Sequence, residues 1–423
     1  FSFNPPTMNL YVELCASSPY LSGILTSNPG MIDELMDSLV LNKLPTRELL
    51  AQTMADVTRG AEDLDPILHS FKNTQQLRIG VRDILGKEDI RATMGALSDI
   101  AETCLVRIAD SEYEKLTEKL GEPTIGAGPR AGQPCELTIL ALGKLGGREL
   151  NYHSDLDVVF LYEADGTTVH NRRGRKGETT NNQHFFSELG QRIIKTASRL
   201  GPYGRLFEID PRLRPTGKSG ALAMPLAEFM RYFTEGQGRL WERQALCKAR
   251  VVYGSPEAAA RALEAAHTAA YQIPFVAADA GGIAEMRHRL EASSHESNIK
   301  RGRGGLVDIE FLVQMFQLKF GRLDPSLRIP NTLLALEALY KAGHLSEPDF
   351  TFLTDSYRFL RTMEARLRLM STTARDDLPD NPVELAKLAH VLGYHDPQPL
   401  VEKTREFRKH NRQRFEAILA AEG

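Results

Sequence analysis

Two aspartates in the segment Asp155-Leu-Asp157 are separated by one residue and stand at the start of an apolar run. The run over residues 156–162 predicts a buried strand, and side chains two positions apart on a strand lie on the same face. Both carboxylates therefore face the same way, and their charges repel unless a cation lies between them. Carboxylate oxygens in that arrangement suit Mg²⁺ or Mn²⁺ bound together with substrate phosphates.

A third aspartate, Asp210, stands inside another largely apolar run over residues 205–213, which predicts a further strand. Buried carboxylates are rare without a partner. An isolated Asp-x-Asp is more often a surface or turn feature, but a third aspartate on a neighbouring strand would complete a site for two metal ions. We predict that Asp155, Asp157 and Asp210 are the metal ligands and the catalytic residues.

A glycine-rich segment separates a strand predicted over residues 137–142 from the paired aspartates. Glycines after a strand let backbone N–H groups approach phosphate oxygens, and a lysine among them would neutralise phosphate charge. The segment lacks the Gly-Lys-Ser/Thr end of a Walker motif and the spacing of a dinucleotide fingerprint. The predicted nucleotide-binding residues are Gly143, Lys144, Gly146, Gly147, Ser154, Arg212 and Lys248.

For four side chains near the aspartates and the glycine-rich segment, a purely structural role is an alternative to a contact with the nucleotide. Ser154 either contacts a phosphate or caps the strand. Arg212 and Arg214 lie two and four residues after Asp210, so on a strand they share its face, and they either meet phosphates or form ion pairs with acids. Lys248 is either a nucleotide contact or one side of an ion pair.

The elements that position these residues are mostly helices. The spacing of apolar residues is helical over residues 9–121 and again after residue 252. The helix predicted over residues 87–120 either continues or breaks near Asp110, and a further helix is predicted over about 182–199. The basic stretch at residues 170–176 is expected to be a solvated loop.

Composition restricts the class of protein. The chain has 423 residues, 42% of them hydrophobic and 25% charged, and a net charge of −3, which is typical of a globular protein and argues against nucleic-acid binding. No apolar run approaches the ~20 residues of a membrane helix. The four cysteines lack CxxC spacing, which indicates reduced thiols in a cytoplasmic protein. The first residue is Phe1, so we expect a longer parent protein.

The glycine-rich loop, followed ten residues later by Asp-x-Asp, resembles the nucleotidyltransferase superfamily that includes DNA polymerase beta. Lys144 departs from that motif, which has glycine or serine at its position. The chain is more closely similar to the glutamine synthetase adenylyltransferase family over nearly its whole length. The similar blocks begin Gly143-Lys-Leu-Gly-Gly-Arg-Glu-Leu, Asp210-Pro-Arg-Leu-Arg-Pro, Trp241-Glu-Arg-Gln and Gly304-Gly-Leu-Val-Asp-Ile-Glu.

This resemblance implies one half of a bifunctional enzyme, whose amino-terminal half removes AMP from a tyrosine of glutamine synthetase and whose carboxy-terminal half attaches it, and we expect this chain to be the carboxy-terminal half. The segments more similar to the attaching half are Ser18-Pro-Tyr-Leu21 and residues 71–79, 250–254 and 378–382. Asn298-Ile-Lys300 suits the removing half equally. A catalytically silent helical docking module is the remaining alternative.

The resemblance also implies ATP as substrate and Mg²⁺ or Mn²⁺ as cofactor. Its implied partners are glutamine synthetase, a PII-type signalling protein and glutamine as effector, in the regulation of nitrogen assimilation. The predicted fold is α+β and mostly helical, with a small polymerase beta-like sheet flanked by N-terminal helices and a C-terminal helical bundle. The predicted domains are an N-terminal helical region at 1–86, a nucleotidyltransferase core at 87–255 and the bundle at 256–423.

Overall fold

The computed structural model describes residues 5–28, 30–31, 43–170 and 177–422. The basic stretch for which the sequence predicts a solvated loop lies outside these residues, apart from His170. Among the helices of the described ranges, none is both long enough and apolar enough to cross a membrane. The thiols of Cys15, Cys104, Cys135 and Cys247 are free.

Helices make up most of the described chain, as the sequence predicts. The first seven are α1 Pro5–Ser17, α2 Pro19–Ser27, α3 Arg47–Val57, α4 Asp65–Ile84, α5 Ile90–Leu120, α6 Gly143–Gly146 and α7 Asn182–Ser198. The remaining nine are α8 Leu226–Thr234, α9 Leu240–Leu246, α10 Pro256–Tyr271, α11 Ala277–Ala292, α12 Leu306–Phe320, α13 Thr332–Lys341, α14 Glu347–Leu369, α15 Pro382–Val391 and α16 Pro397–Glu422.

A small mixed sheet lies at the centre of the helices. The strands are β1 Glu122–Pro123, β2 Leu137–Ala141, β3 Leu156–Tyr162, β4 Thr168–Val169, β5 Ile209–Asp210, β6 Ala223–Pro225 and β7 Arg250–Tyr253. The main sheet has the order β5-β3-β2-β7, with β6 also paired to β3, and β1 pairs separately with β4. Strand β3 runs antiparallel to β2 and parallel to both β5 and β6.

The two central strands are apolar on both faces because helices cover both. Alternate residues of β2 and β3 enter two different apolar clusters. The first cluster, with α2–α5 and α7, contains Leu137, Ile139, Ala141, Leu156, Val158, Phe160 and Tyr162. The second, with α8–α10 and the later helices, contains Leu140, Val159 and Leu161. Asp157 alternates with the first set, so it lies on the face of the C-terminal helices. The predicted α+β arrangement is confirmed; its domain boundaries stay a prediction.

Two helix predictions are confirmed closely, since the helix predicted over 87–120 is α5 and the one predicted over about 182–199 is α7. Helix α5 begins after Asp89, whose side chain accepts a hydrogen bond from the Ala92 N–H at 2.7 Å, and it ends at Leu120, just before Gly121. It does not break at Asp110, where the sequence left a break open. The Asp110 carboxylate instead accepts a hydrogen bond from the Tyr253 hydroxyl at 3.0 Å, which ties the helix to β7.

The strand predicted over residues 205–213 is wrong in extent, since β5 contains only Ile209 and Asp210. Pro211 cannot donate a backbone hydrogen bond to a ladder, and the chain turns there. The turn continues with the Gly217 N–H donating to the Arg214 carbonyl at 2.9 Å. Arg212 and Arg214 therefore do not share a strand face with Asp210, contrary to the prediction.

Candidate metal and nucleotide site

Three carboxylates converge where β3 and β5 lie side by side. The parallel register pairs Asp157 of β3 with Asp210 of β5, and Asp155 lies just before β3. Each of the three residues offers one carboxylate oxygen, and these oxygens all lie within 4.8 Å of one another. The structure thus brings together the three aspartates that the sequence singles out.

The cluster concentrates negative charge in a partly buried position. Burial is the largest cause, and the neighbouring charges of Asp155 and Asp210 act in the same direction, so that the pKa of Asp157 is raised to about 7. Lys300 and Arg212 act in the opposite direction on the same group. Oxygen donors held together against their own repulsion fit a hard divalent cation such as Mg²⁺ or Mn²⁺.

Arg212 folds back onto the carboxylate cluster. Its Nε lies 2.8 and 2.7 Å from the two oxygens of Asp210, and its backbone N–H donates to the same carboxylate at 2.9 Å. These hydrogen bonds lower the pKa of Asp210. The Arg212 side chain is 62% exposed, so the guanidinium can leave this position without disturbing the core.

Gly143 brings the glycine-rich loop against the carboxylates. It has a φ of +52° and begins the single turn α6. A Cβ at this position would lie 2.1 Å from Oδ2 of Asp157, which is far inside contact distance. The backbone N–H of Leu142 also donates to the carbonyl oxygen of Asp157 at 2.9 Å. Of the loop glycines, Gly143 is thus the one that makes room for a side chain of the cluster.

Gly146 and Gly147 make room for protein atoms of the surrounding structure. A Cβ on Gly146 would lie 1.9 Å from the carbonyl oxygen of Lys248, and one on Gly147 would lie 3.0 Å from the carbonyl oxygen of Pro330. The close approach of backbones explains why both positions are glycine. Their predicted part in nucleotide binding gains no support from this geometry.

Lys144 is engaged by acids and a hydroxyl. Its Nζ forms an ion pair with Glu310, hydrogen-bonds the hydroxyl of Tyr357 at 3.2 Å and lies 3.8 Å from Glu149. Burial lowers the pKa of the Lys144 ammonium. Glu310 belongs to α12, so this contact ties the loop to the C-terminal helices. Lys144 still borders the cleft described below, with 15% of its side chain exposed.

The structure does not bring Lys248 to the carboxylate cluster. Only 4% of this residue is exposed, and its Nζ donates to Glu149 at 2.8 Å and to the hydroxyl of Thr332 at 2.7 Å. This geometry matches the ion-pair alternative, and the nucleotide contact stays a prediction that it does not support. The physical reason is that a buried ammonium needs a carboxylate partner, and Glu149 provides one.

Ser154 and Arg214 make local hydrogen bonds. The Ser154 hydroxyl accepts from the Asn151 N–H at 3.0 Å and from Arg368 at 3.1 Å, which closes the turn before β3 and matches the capping alternative. Arg214 donates to the carbonyl oxygen of Pro211 at 2.8 Å and so braces the turn after β5. Neither contact places these side chains on a phosphate.

A cleft of about 740 Å³ opens beside Asp155 and carries several positive charges. Its basic lining residues are Lys72, Lys144, Arg205, Lys300 and Arg368, and its acidic ones are Asp155, Glu208, Glu364 and Asp376. A triphosphate carries negative charge along its length, so a cleft with this lining next to the carboxylates suits a nucleotide triphosphate with its cations.

Lys300 is the residue of this cleft that the site prediction missed. It lowers the pKa of Asp157, lies 4.0 Å from Asp376 and keeps 26% of its side chain exposed. The carboxamide of Asn298 accepts from the Lys300 N–H at 3.1 Å, which fixes the turn that carries the lysine. In the sequence, Lys300 stands in the segment Asn298-Ile-Lys300, whose only signal is its similarity to the removing half of the family.

Two family models match the chain. One, described as glutamate-ammonia ligase adenylyltransferase, matches residues 8–265 and so includes all three aspartates. The other, described as GlnD PII-uridylyltransferase, matches residues 282–421 in the C-terminal helices.

Curated relatives extend over nearly the whole chain. The relatives described next carry the name bifunctional glutamine synthetase adenylyltransferase/adenylyl-removing enzyme. The one from Nitrosomonas europaea is 34% identical over 98% of this chain and 44% of its own length. Those from Pseudomonas putida and Burkholderia pseudomallei are 31% and 35% identical, over 99% and 88% of this chain and 43% of each relative. The chain thus spans less than half the length of these relatives.

Proposed function

Since the chain belongs to the glutamate–ammonia ligase adenylyltransferase family, we propose that it transfers AMP from ATP to a tyrosine of glutamine synthetase. The observation that carries the proposal is the convergence of Asp155, Asp157 and Asp210 within 4.8 Å at the edge of a basic cleft. A catalytically silent docking module would have no need to hold three carboxylates against their mutual repulsion.

In the proposed reaction the tyrosine hydroxyl attacks the α-phosphorus of ATP. A bond forms between the phenolic oxygen and phosphorus, the bond to the bridging oxygen breaks, and pyrophosphate leaves with the electron pair. Divalent cations, when bound, would supply Lewis-acid activation of the hydroxyl and neutralise the charge of the leaving group. The three aspartates would hold these cations, and Gly143 lets the loop backbone lie close to Asp157.

The proton of the tyrosine must be removed, because the pKa of a free tyrosine is about 10. We propose Asp210 as the proton acceptor. While Arg212 hydrogen-bonds Asp210, the pKa of that carboxyl is lowered and proton uptake is disfavoured. We therefore include in the proposal that Arg212 leaves Asp210 when nucleotide binds and meets the phosphates with its guanidinium.

Lys300 joins the proposed nucleotide site. Its ammonium borders the cleft and acts electrostatically on Asp157, so it lies where the charge of a triphosphate would be placed. Lys144 borders the same cleft but is held by Glu310, and Lys248 is left out because it is buried in an ion pair.

The reverse activity, removal of AMP by phosphorolysis, is the second candidate. The segment Asn298-Ile-Lys300 suits the removing half equally, and the relatives' names include both activities. We favour attachment because four other segments are more similar to the attaching half. We also propose glutamine and a PII-type protein as regulators. The match of residues 282–421 to a PII-uridylyltransferase model supports the second of these.

The deciding experiment uses α-labelled ATP and unmodified glutamine synthetase. We expect label on glutamine synthetase with Mg²⁺ and none after chelation. Asp155→Asn and Asp157→Asn should abolish labelling, while the control Asp355→Asn, at an exposed site on α14, should retain it. Release of AMP from pre-labelled glutamine synthetase with phosphate, without labelling from ATP, would instead identify the removing activity. Full labelling by either site variant would contradict the assignment.

A further inference from the structure

A second cavity, of about 750 Å³, lies against the basic face of α16 and away from the carboxylates. We call it the α16 cavity. Its basic lining residues are Arg303, Arg405, Arg408, Lys409 and Arg412. Its acidic lining residues are Glu296, Asp380 and Glu416. The lining is therefore net positive, although the whole chain has a net charge of −3.

The innermost cation of this lining, Arg412, has two donors without a hydrogen-bond partner. Its side chain is only 3% exposed, and Nη2 pairs with Glu291, while Nε and Nη1 have no hydrogen-bond partner among the described residues. Nε lies 3.3 Å from Glu416 and Nη1 lies 3.5 Å from Asp308, which are ion-pair distances without hydrogen-bond geometry. Buried N–H groups of a charged side chain are costly without an acceptor, so a bound oxygen acceptor would stabilise these two.

Two further cations face the cavity without an acid. Arg405 and Lys409 are exposed and lie one helical turn apart on α16. Among the residues that the structure describes, neither has a carboxylate within ion-pair distance of 4.0 Å. Like charges spaced by four residues on a helix repel. An anion between them would remove that repulsion.

We propose that the α16 cavity binds a small, multiply charged anionic ligand that carries a phosphate group. Guanidinium groups match phosphate oxygens with paired N–H donors, and this lining offers several of them around one space. The cavity and the cleft beside Asp155 share no lining residue. The ligand site is therefore separate from the proposed AMP-transfer site and does not depend on that proposal.

Labelled sulfate is the probe, because it is a tetrahedral dianion that is neither substrate nor product of the proposed reactions. Equilibrium dialysis is run with chelator and at constant ionic strength, on the wild-type chain and on the double variant Arg405→Gln/Lys409→Gln. Arg322→Gln/Lys87→Gln is the matched control. Both residues are exposed and lie outside the cavity, and the two substitutions remove the same charge as those in the double variant. Thermal unfolding checks that all chains are folded.

We expect one sulfate per chain for wild type and control, and binding at least about tenfold weaker for the double variant. If the double variant fails to fold, Arg405→Gln alone is measured with the same expectation. Crystals soaked in selenate should show anomalous density between α16 and residues 295–303. No saturable binding, equal binding by the cavity variants, or selenate only in the cleft beside Asp155 would overturn the proposal.

Discussion

Replacing Gly143 by alanine tests how tightly the glycine-rich loop fits against the carboxylate cluster. The new Cβ would lie 2.1 Å from Oδ2 of Asp157, while real Cβ contacts are essentially never under 3.0 Å. The carboxylate or the loop must therefore move by about 1 Å. A shift of that size in a reacting group lowers a rate by about 10²-fold. The backbone φ of +52° adds about 1–2 kcal/mol of strain for a non-glycine residue.

The control for this variant is Gly86→Ala. Gly86 has a φ of +64°, and a Cβ there would meet nothing within 4 Å. It therefore carries the backbone strain without the clash at Asp157. The assay measures label transfer to glutamine synthetase and the free energy of unfolding for both variants. We expect similar destabilisation in both and a loss of transfer of about 10²-fold only in Gly143→Ala. Equal transfer rates would refute the proposed contact between loop and metal ligand.

Two further predictions concern buried and mobile charges. Burial would raise the pKa of Glu149, but Lys248 and Lys144 outweigh it and lower the pKa from 4.5 to about 2. This stabilisation, about 3 kcal/mol, is complete above pH 4.5 and is lost as the pH falls towards 2. Urea unfolding should show this pH dependence in wild type and a weaker one in Glu149→Gln; identical slopes would contradict it. Arg212→Ala should bind Mn²⁺ more tightly by calorimetry without nucleotide and transfer AMP more slowly, and unchanged values of both would refute the movement of Arg212.

The central part of the site follows from local sequence pattern. Strand alternation places Asp155 and Asp157 on one face, and this needs only the apolar run that follows them. The predicted strand around Asp210 is too long because apolar residues alternate from Phe207 to Leu213, while the proline at 211 ends the ladder. Strands β6 and β7 are not among the predicted strands because three or four residues carry too little periodicity to distinguish a strand.

Contacts between distant segments could not be read from the sequence. The ion-pair partner of the buried Lys248 is Glu149, which lies 99 residues earlier, and no local sequence pattern connects the two. The same holds for Lys144, whose partner Glu310 belongs to α12. From the sequence alone, a lysine in a glycine-rich loop predicts a phosphate contact. Only the fold shows that an acid from a distant helix lies beside it.

The most direct test of the proposed site is the position of bound metal. Crystals of the chain grown with Mn²⁺ and a non-reactive ATP analogue would show the metal by its anomalous signal. We predict manganese bound between the carboxylates of Asp155, Asp157 and Asp210, and Arg212 moved off Asp210. Analogue bound in the cleft with no manganese between these three carboxylates would contradict the account.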